Sequence, residues 1–511
     1  MAKEDKLRLD YKRTILVGFA FAGIMCVNEV YDYIMPLILQ RMYGMVEWQY
    51  GIIMGLDNLL AIFLLPLFGS LSDKAVKAKS GRRTTFITWG TIAACISIVA
   101  LCFVEFAQYK EVLAAGVTNG QTLVDLGFLD AKYLSDPYAA LVETVKNGTK
   151  FSGTDLVTYN EYLTAYHSAQ QSLAKMITKE HPMILMTFIA VLLCLLTSLA
   201  TYRSPAIALM PDVTPKPLRS QANALITFMG GAGGLLAMGI YGILAKQRYQ
   251  SHIALWLVLA GVLLILLLTF RLTVKENKLV SLRMQEEEKY GVIDEEEIEG
   301  NEKLSKPKMK SLILILTTIF LWFMGYNCVK SHLSVYATTY LLMKDSSVTF
   351  INMFNGVGGA IALLPVAIMA SKFGRKKSVL IGLIIAAIAF VPCFFFTSTT
   401  PQVSVLFAAC FIISGFGMVC VNVNTLPMVT ELSKGSNVGK YTGMYYVFSM
   451  SAQAITPFLA GLVMDGVGKK YLFIYGTIFI LLGMVTMFFT KHGDSKAPKK
   501  NNKLEYFSDD N

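Results

Sequence analysis

Apolar residues in this 511-residue chain run in long blocks, with no strand-like alternation and with polar residues gathered into short gaps between the blocks. Windows of near-membrane length fall at roughly 14–40, 49–71, 84–107, 182–210, 221–245, 252–273, 311–342, 347–371, 377–398, 402–428, 439–464 and 469–490. About 20 apolar residues wound as a helix cross the roughly 30 Å hydrocarbon core of a bilayer. The pattern therefore predicts an all-α membrane protein with twelve transmembrane helices. The first block is longer than a signal-peptide core and is followed by many others, so it is expected to be a retained helix.

The gaps set the domain organisation. Residues 1–273 form an N-terminal six-helix half and residues 311–490 a C-terminal one. A polar, tyrosine-bearing insertion occupies about 108–181. The charge-dense stretch 274–310, with Glu286 to Glu288 and Asp294 to Glu297, reads as a solvated linker between halves, and 491–511 as a tail. The separation from Gly81 to Pro211 exceeds that from Gly374 to Pro427 by nearly the length of the insertion, as expected for two copies of one plan. The insertion is expected outside the membrane, and between Tyr138 and Met176 the quasi-helical spacing of Leu, Tyr and Val predicts a small helical cap, read as a passive extracellular insertion in preference to a lid over the entrance.

Composition strengthens this picture. The chain is 54% hydrophobic and only 16% charged, whereas soluble domains carry about 25% charged residues. The net charge of +11 comes from Lys and Arg in the N-terminus, in turns such as Lys74 to Arg83 and Lys372 to Lys377, and in the tail. With twelve spans these lie on one side of the membrane, which the positive-inside bias makes the cytoplasm, with both termini there. Nucleic acid is not the expected partner. The eight cysteines (Cys26, Cys95, Cys102, Cys194, Cys328, Cys393, Cys410, Cys420) lie within apolar blocks without metal-ligand spacing, so neither disulfides nor a zinc site is expected. Glycine runs at Gly230, Gly231, Gly233 and Gly234 and at Gly356, Gly358 and Gly359 follow no strand and precede no P-loop lysine. They read as close helix packing. No nucleophile elbow or nucleotide motif appears, so the chain reads as neither an enzyme nor an ATP-driven pump, and no cofactor is expected.

Ionisable residues inside a span are costly, about 2.5–3.5 kcal/mol each at the centre, and normally mark ion or substrate pathways. Span one carries Asn28, Glu29, Asp32 and Tyr33, with Glu29, Asp32 and Tyr33 on one helical face. Glu29 and Asp32 are the candidate proton carriers; the structural alternative pairs one of them with Lys330 or Arg203. Candidate substrate contacts beside Asn28 and Tyr33 are Asp57 and Asn58 in span two, Arg203 in span four and Asn223 in span five. Trp322, Tyr326 and Asn327 in span seven, Asn352 and Asn355 in span eight, Asn422 in span ten, and Tyr445 and Gln453 in span eleven complete the set. Amides give directional hydrogen bonds to hydroxyls, and aromatic faces suit the C–H faces of a sugar ring. His332, near the outer end of span seven, is expected at the membrane interface.

Pro66-Leu67-Phe68-Gly69-Ser70-Leu71-Ser72-Asp73-Lys74 followed by Gly81-Arg82-Arg83, and the weaker copy Lys372-Phe373-Gly374-Arg375-Lys376-Lys377, resemble the signature turn of the major facilitator superfamily. Pro66-Leu67-x-Gly69-x-x-Ser72-Asp73, the wide spacing to Gly81-Arg82-Arg83-x-x-Phe86-Ile87, and Ala208-Leu209-x-x-Asp212 are similar to its sucrose-transporter and glycoside-cation-symporter branch. The resemblance implies alternating access, a sugar or glycoside as small-molecule substrate, proton coupling, a plasma-membrane location and a monomer. It assigns a cytoplasmic gate to Gly69, Asp73, Arg82 and Arg83, with Arg375 and Glu431 in the second half and Asp73 set against the start of span eleven near Gly439. Leu65 stands where sodium-coupled relatives place a carboxylate, Ile207 where sucrose carriers have an Arg, and Ser371 where the second turn would have its acid. Other expected readings are an exporter or carrier of another polar metabolite, or a transporter-like nutrient receptor.

Overall fold

The computed structural model describes residues 7–75, 80–146, 151, 153–245, 247–290, 304–432 and 438–494. Their regular structure is helical: α1 (Tyr11–Arg41), α2 (Glu47–Lys74), α3 (Arg82–Ala114), α4 (Gly120–Asp125), α5 (Tyr138–Lys146), α6 (Gly153–Glu180), α7 (Pro182–Val213), α8 (Arg219–Leu244), α9 (Ile253–Thr273), α10 (Glu276–Lys289), α11 (Lys306–Thr339), α12 (Asp345–Phe373), α13 (Arg375–Phe395), α14 (Val403–Glu431), α15 (Val438–Gly466) and α16 (Leu472–Phe488). Twelve of these are long and apolar enough to cross a membrane. They divide into two six-helix halves, α1–α3 with α7–α9 and α11–α16. Two sides are distinguished below as the basic side, which carries the Lys/Arg turns, and the insertion side, which carries α4–α6.

The two halves repeat the same device after their second span. Gly81 and Gly374 adopt φ of +103° and +96°, a region open to glycine, and each is followed directly by a helix. An acid from beyond the end of each half then caps that helix. Glu276 accepts the backbone N–H groups of Arg83 (3.1 Å) and Thr84 (2.7 Å), and Asp494 accepts that of Lys376 (2.8 Å). Carboxylates at helix N-termini satisfy orphan donors and complement the helix dipole. A side chain on either glycine would collide with its capping acid.

Helix pairs approach through small residues, as membrane packing requires. A Cβ on Gly233 would lie 2.3 Å from the Ala22 carbonyl oxygen in the α1–α8 pair, and one on Gly358 2.2 Å from that of Ile412 in the α12–α14 pair. The halves meet chiefly where α2 crosses α15. There Gly51 and Gly55, spaced four apart, abut the carbonyl oxygens of Pro457 and Ala454, and Gly461 abuts the backbone of Glu47.

Two expectations change. The start of the linker is a helix, α10, docked through Glu276 and through Glu286, which pairs with Arg13 at 3.3 Å; Asp294 to Glu297 lie outside the described residues. Buried capping of α3 by Glu276 is what a charge count along the chain misses. The insertion also begins later than 108, because α3 continues to Ala114. Gln108 is fully buried and its amide donates to the Met42 carbonyl (2.8 Å) and Thr178 Oγ1 (3.1 Å), so a polar residue there continues the packed helix. Beyond it, α5 and α6 are helical, and Gln171 of α6 ties the cap to the α1–α2 turn through the Met45 carbonyl (2.8 Å).

Candidate functional site: a cavity between the halves

Midway along the spans the two halves enclose a cavity of about 260 Å³. The N-terminal half contributes Met25 and Glu29 from α1 and Gly230, Gly231, Gly234, Leu235 and Met238 from α8. The C-terminal half contributes Phe323, Tyr326, Asn327, Lys330, Asn352, Asn355, Phe390, Phe411, Ser414, Met418, Asn422 and Gln453, among others. One wall is thus smooth and nearly free of hydrogen-bonding groups, and the other is rich in amides.

The amide wall is organised by an aromatic stack. Trp322 is buried behind Tyr326, their rings 5.0 Å apart and 21° from parallel, and Phe390 continues the stack at 6.4 Å. Each polar end is held: Tyr326 donates its hydroxyl to Asn355 Oδ1 (2.7 Å), and Trp322 Nε1–H donates to Asn422 Oδ1 (3.0 Å). Asn355 Nδ2 in turn donates to Ser414 Oγ (2.8 Å) and the Phe411 carbonyl (3.1 Å), and Asn327 Nδ2 donates to the Gln453 carbonyl (3.2 Å). Asn352 lines the cavity with no hydrogen-bond partner among the described residues. The wall therefore pairs preset polar groups with free ones.

Opposite lies an ion triad. Lys330 Nζ of α11 is 2.8 Å from Asp32 Oδ2 and 3.7 Å from Glu29 Oε1 of α1. Asp57 lies within the electrostatic reach of Asp32, Lys330 and Arg203. Another acid within a span, Glu105, makes an instructive contrast. It is fully buried, with its two oxygens taken by His252 Nδ1 and Trp256 Nε1, each at 2.5 Å, which is a closed structural arrangement. The triad side chains, by comparison, are 21–37% exposed and reached by solvent.

Of the residues expected from sequence, Glu29, Tyr326, Asn327, Asn352, Asn355, Asn422 and Gln453 line the cavity, and Asp32 and Trp322 touch residues that do. Asn28, Asp57, Asn58 and Arg203 do not line it, and Arg203 has no carboxylate within ion-pairing distance among the described residues. Tyr33 points to the insertion side, where its hydroxyl donates to the Asp345 carbonyl (3.2 Å). Asn223 is exposed near the start of α8, and Tyr445 is buried against Thr425 at 3.5 Å. Gly230, Gly231, Gly234 and Gly356 serve the cavity wall, while Gly233 and Gly358 serve packing as expected. Sequence reasoning passed over Ser414, which carries no signal in an apolar helix. Lys330, which the sequence offers both as a polar group of span seven that could meet the cavity and as a structural partner for a span-one acid, does line it.

The ends of the cavity differ. On the insertion side Arg41 forms a two-pronged ion pair with Asp345 (2.6 and 2.8 Å), and Lys469 pairs with Glu47 (2.8 Å). Asp465, near the end of α15, accepts the N–H groups of Glu47 (3.3 Å) and Trp48 (2.8 Å) and so caps α2 from the opposite half. His332 is a correction: it is fully buried, bridging the Tyr50 hydroxyl (2.7 Å) and the Pro457 carbonyl (2.8 Å). Since a carbonyl only accepts, Nε2 carries the proton and Nδ1 accepts from Tyr50. On the basic side the described ion pairs stay within a half. Arg83 bonds Asp73, Ser72 and Asp212 (2.9 Å), Arg82 bonds Asp212 (2.9 Å), and Arg375 bonds Glu431 (2.9 Å). Gly69 adds its carbonyl to the Arg83 cluster. Ser371 bonds only its own helix, at the Ile368 carbonyl.

A bundle of two similar halves, with a midline cavity closed on one side by bonds between halves, defines a membrane carrier. Two overlapping matches to the family model for the Major Facilitator Superfamily, over residues 172–354 and 338–508, cover more than half of the chain. The chain belongs to that superfamily. Solved structures of similar fold include a D-xylose–proton symporter (13% identity, 95% of this chain and 99% of that one, TM-score 0.58). The xylose transporter XylE of E. coli in an inward-open conformation (14%, 97% and 98%, 0.61) and a bacterial metal transporter (14%, 94% and 99%, 0.55) are similar too. At these identities the likeness concerns the fold. No curated protein sequence matches the chain.

Proposed function

We propose that this membrane transporter carries a sugar or glycoside inward together with a proton, by alternating access across the plasma membrane. The observation that carries the reading is the amide and aromatic wall facing an acid–lysine triad across one cavity. Hydroxyl-rich rings are recognised by amides that donate and accept and by aromatic faces that cover C–H surface. The similarity of the signature turn to the sucrose and glycoside branch agrees with this, as does the sugar–proton symporter among similar folds. A metal cargo is the less favoured reading, since among the described residues no three His, Cys, Asp or Glu converge on one point.

In this reading the basic side is cytoplasmic, both termini lie there, and the arrangement closed on the insertion side is the inward-facing state of a monomer. Glu29 and Asp32 carry the coupled proton, and the cavity amides hold the substrate. Both carboxylates stand on one face of a membrane span, where ionisable groups mark ion pathways. The test is uptake into proteoliposomes of radiolabelled xylose, glucose, sucrose and methyl-β-glucoside, with and without an imposed pH gradient. Wild-type protein accumulates at least one of them against its gradient with proton entry. Glu29→Gln with Asp32→Asn abolishes the accumulation. Full gradient-driven accumulation in the double variant would remove the proton assignment, and no counterflow of any sugar in the wild type would remove the substrate class.

A further inference from the structure

The ion triad is unequal: one half supplies two carboxylates and the other supplies one cation. Among the described residues lining the cavity, Lys330 is the sole cation, and it comes from the half that otherwise contributes amides and aromatic rings. It reaches across to Asp32 (2.8 Å) and Glu29 (3.7 Å) of α1. Away from the insertion side, this is an ion-pair link between the halves. The other charged groups around it are Asp57 on α2 and Arg203 on α7, one of each sign; Tyr326, one turn before it on α11, is the neighbouring titratable hydroxyl. Counted together, three carboxylates face two cations, so one added proton brings the set to balance.

The geometry points to Lys330 as the positioning residue that couples proton to substrate, an inference that rests on the proton-symport reading above. With Glu29 and Asp32 both ionised, the ammonium is shared between them and held to the α1 side. A proton arriving from water on one carboxylate oxygen leaves a single anion to hold it. The four-carbon stem then lets Nζ turn toward the cavity, which Lys330 already lines together with the amides of its own half. Substrate hydroxyls accept from the freed ammonium, and the link between α1 and α11 loosens at the moment the substrate binds. No bond is made or broken beyond the proton transfer itself, from water to carboxylate and back on the other side. A purely structural ion pair would instead stay shut through the cycle, as the enclosed Glu105–His252 pair is placed to do.

The experiment uses the full-length protein in proteoliposomes with the same four radiolabelled sugars, and reads two quantities: accumulation under a pH gradient, and the pH profile of equilibrium exchange. In Lys330→Ala, accumulation falls at least about tenfold and the exchange profile flattens, because no ammonium is left for a proton on the carboxylates to release into the cavity. Lys330→Arg keeps the charge and restores a pH-dependent profile with weaker accumulation, since its planar fork cannot rotate between partners as an ammonium does. Should Lys330→Ala fail to fold, Lys330→Gln combined with Asp32→Asn keeps the net charge of the triad, with Glu29 as its one carboxylate and no ammonium for a proton to release; it exchanges with a flattened pH profile and does not accumulate. Lys330→Ala, or that double variant, with a wild-type pH profile and wild-type accumulation would overturn the role of Lys330 alone. A wild type that exchanges sugar with no proton movement would overturn the symport reading, and this inference with it.

Discussion

The two sides of the molecule hold their charges in opposite ways. On the insertion side, Arg41–Asp345, Lys469–Glu47 and the Asp465 cap on α2 all join one half to the other. On the basic side, Arg83–Asp212, Arg82–Asp212, Arg83–Asp73 and Arg375–Glu431 each stay within a half. Bonds between halves select a conformation, whereas bonds within a half build the bodies that move. The insertion side is therefore the closed gate of this state, and its strength sets how readily the carrier opens there. Breaking a bond between the halves should therefore change their separation, whereas breaking one within a half should change only its stability.

The largest effect belongs to Arg41. Its side chain is 2% exposed and its guanidinium is bound by two bonds to Asp345. Removing one partner of such a pair costs about 3–5 kcal/mol, because the other charge is left buried alone. Arg41→Ala is expected to lengthen spin-label distances across the insertion side and to move the population toward opening there. Unchanged distances would mean that the pair does not hold the gate.

A smaller, pH-dependent effect comes from the insertion itself. Burial, and then the charges of Arg248, Arg41 and Lys469, hold the His167 imidazole well below its ordinary range. Nearby Arg248 is itself brought down to about 9 by burial and by Arg41. The folded protein thus keeps His167 neutral, while the unfolded chain takes up a proton near pH 6.5. Stability from this group is complete above about pH 6.5 and is lost as pH falls below it, by up to about 1.4 kcal/mol per unit. Thermal unfolding of His167→Gln should fall less steeply than that of the wild type between about pH 7 and 5. Parallel slopes would remove His167 from the account.

Asp465 ranks next. It caps α2 across the interface, and loss of a helix cap costs about 0.5–2 kcal/mol. Asp465→Ala should shift the same spin-label distances as Arg41→Ala in the same direction, but by less. A shift in unfolding temperature with no change in distance would place this cap among the bonds that build a half.

How much of this was legible beforehand follows from where each residue sits. The twelve spans and their two-fold plan were readable because a bilayer imposes one length and one polarity on every crossing. Glu29, Tyr326 and the cavity amides were readable because polar groups inside a span need a reason. Arg41, Asp345, Glu47, Asp465 and Lys469 were not, since charges at span ends look like ordinary interface residues until the partner half is placed against them. Arg203 and Asp57 show the converse: a polar residue within a span signals a functional environment, yet it does not fix which side of its helix meets the cavity. The helix α10 is not legible because its charge density resembles that of a free linker, while Glu276, which docks it together with Glu286, is a single buried acid among more exposed ones.

The smallest expected effect tests the basic side. Arg83 is almost fully buried and is bonded by Asp73, Ser72 and Asp212, while Asp73 is 57% exposed. Losing Asp73 leaves Arg83 with its other partners, and an exposed ion pair contributes about 0–1 kcal/mol. Asp212 anchors Arg82 as well as Arg83, so its loss leaves a buried guanidinium short of its main counter-ion. Asp212→Asn should therefore lower the unfolding temperature more than Asp73→Asn, and neither should alter insertion-side distances in this state. If Asp73 is the anion that meets the start of α15 when the basic side closes, Asp73→Asn will slow transport while leaving the stability of this state nearly unchanged. Normal transport by Asp73→Asn, or a loss of stability equal to that of Asp212→Asn, would make Asp73 one more bond within its half.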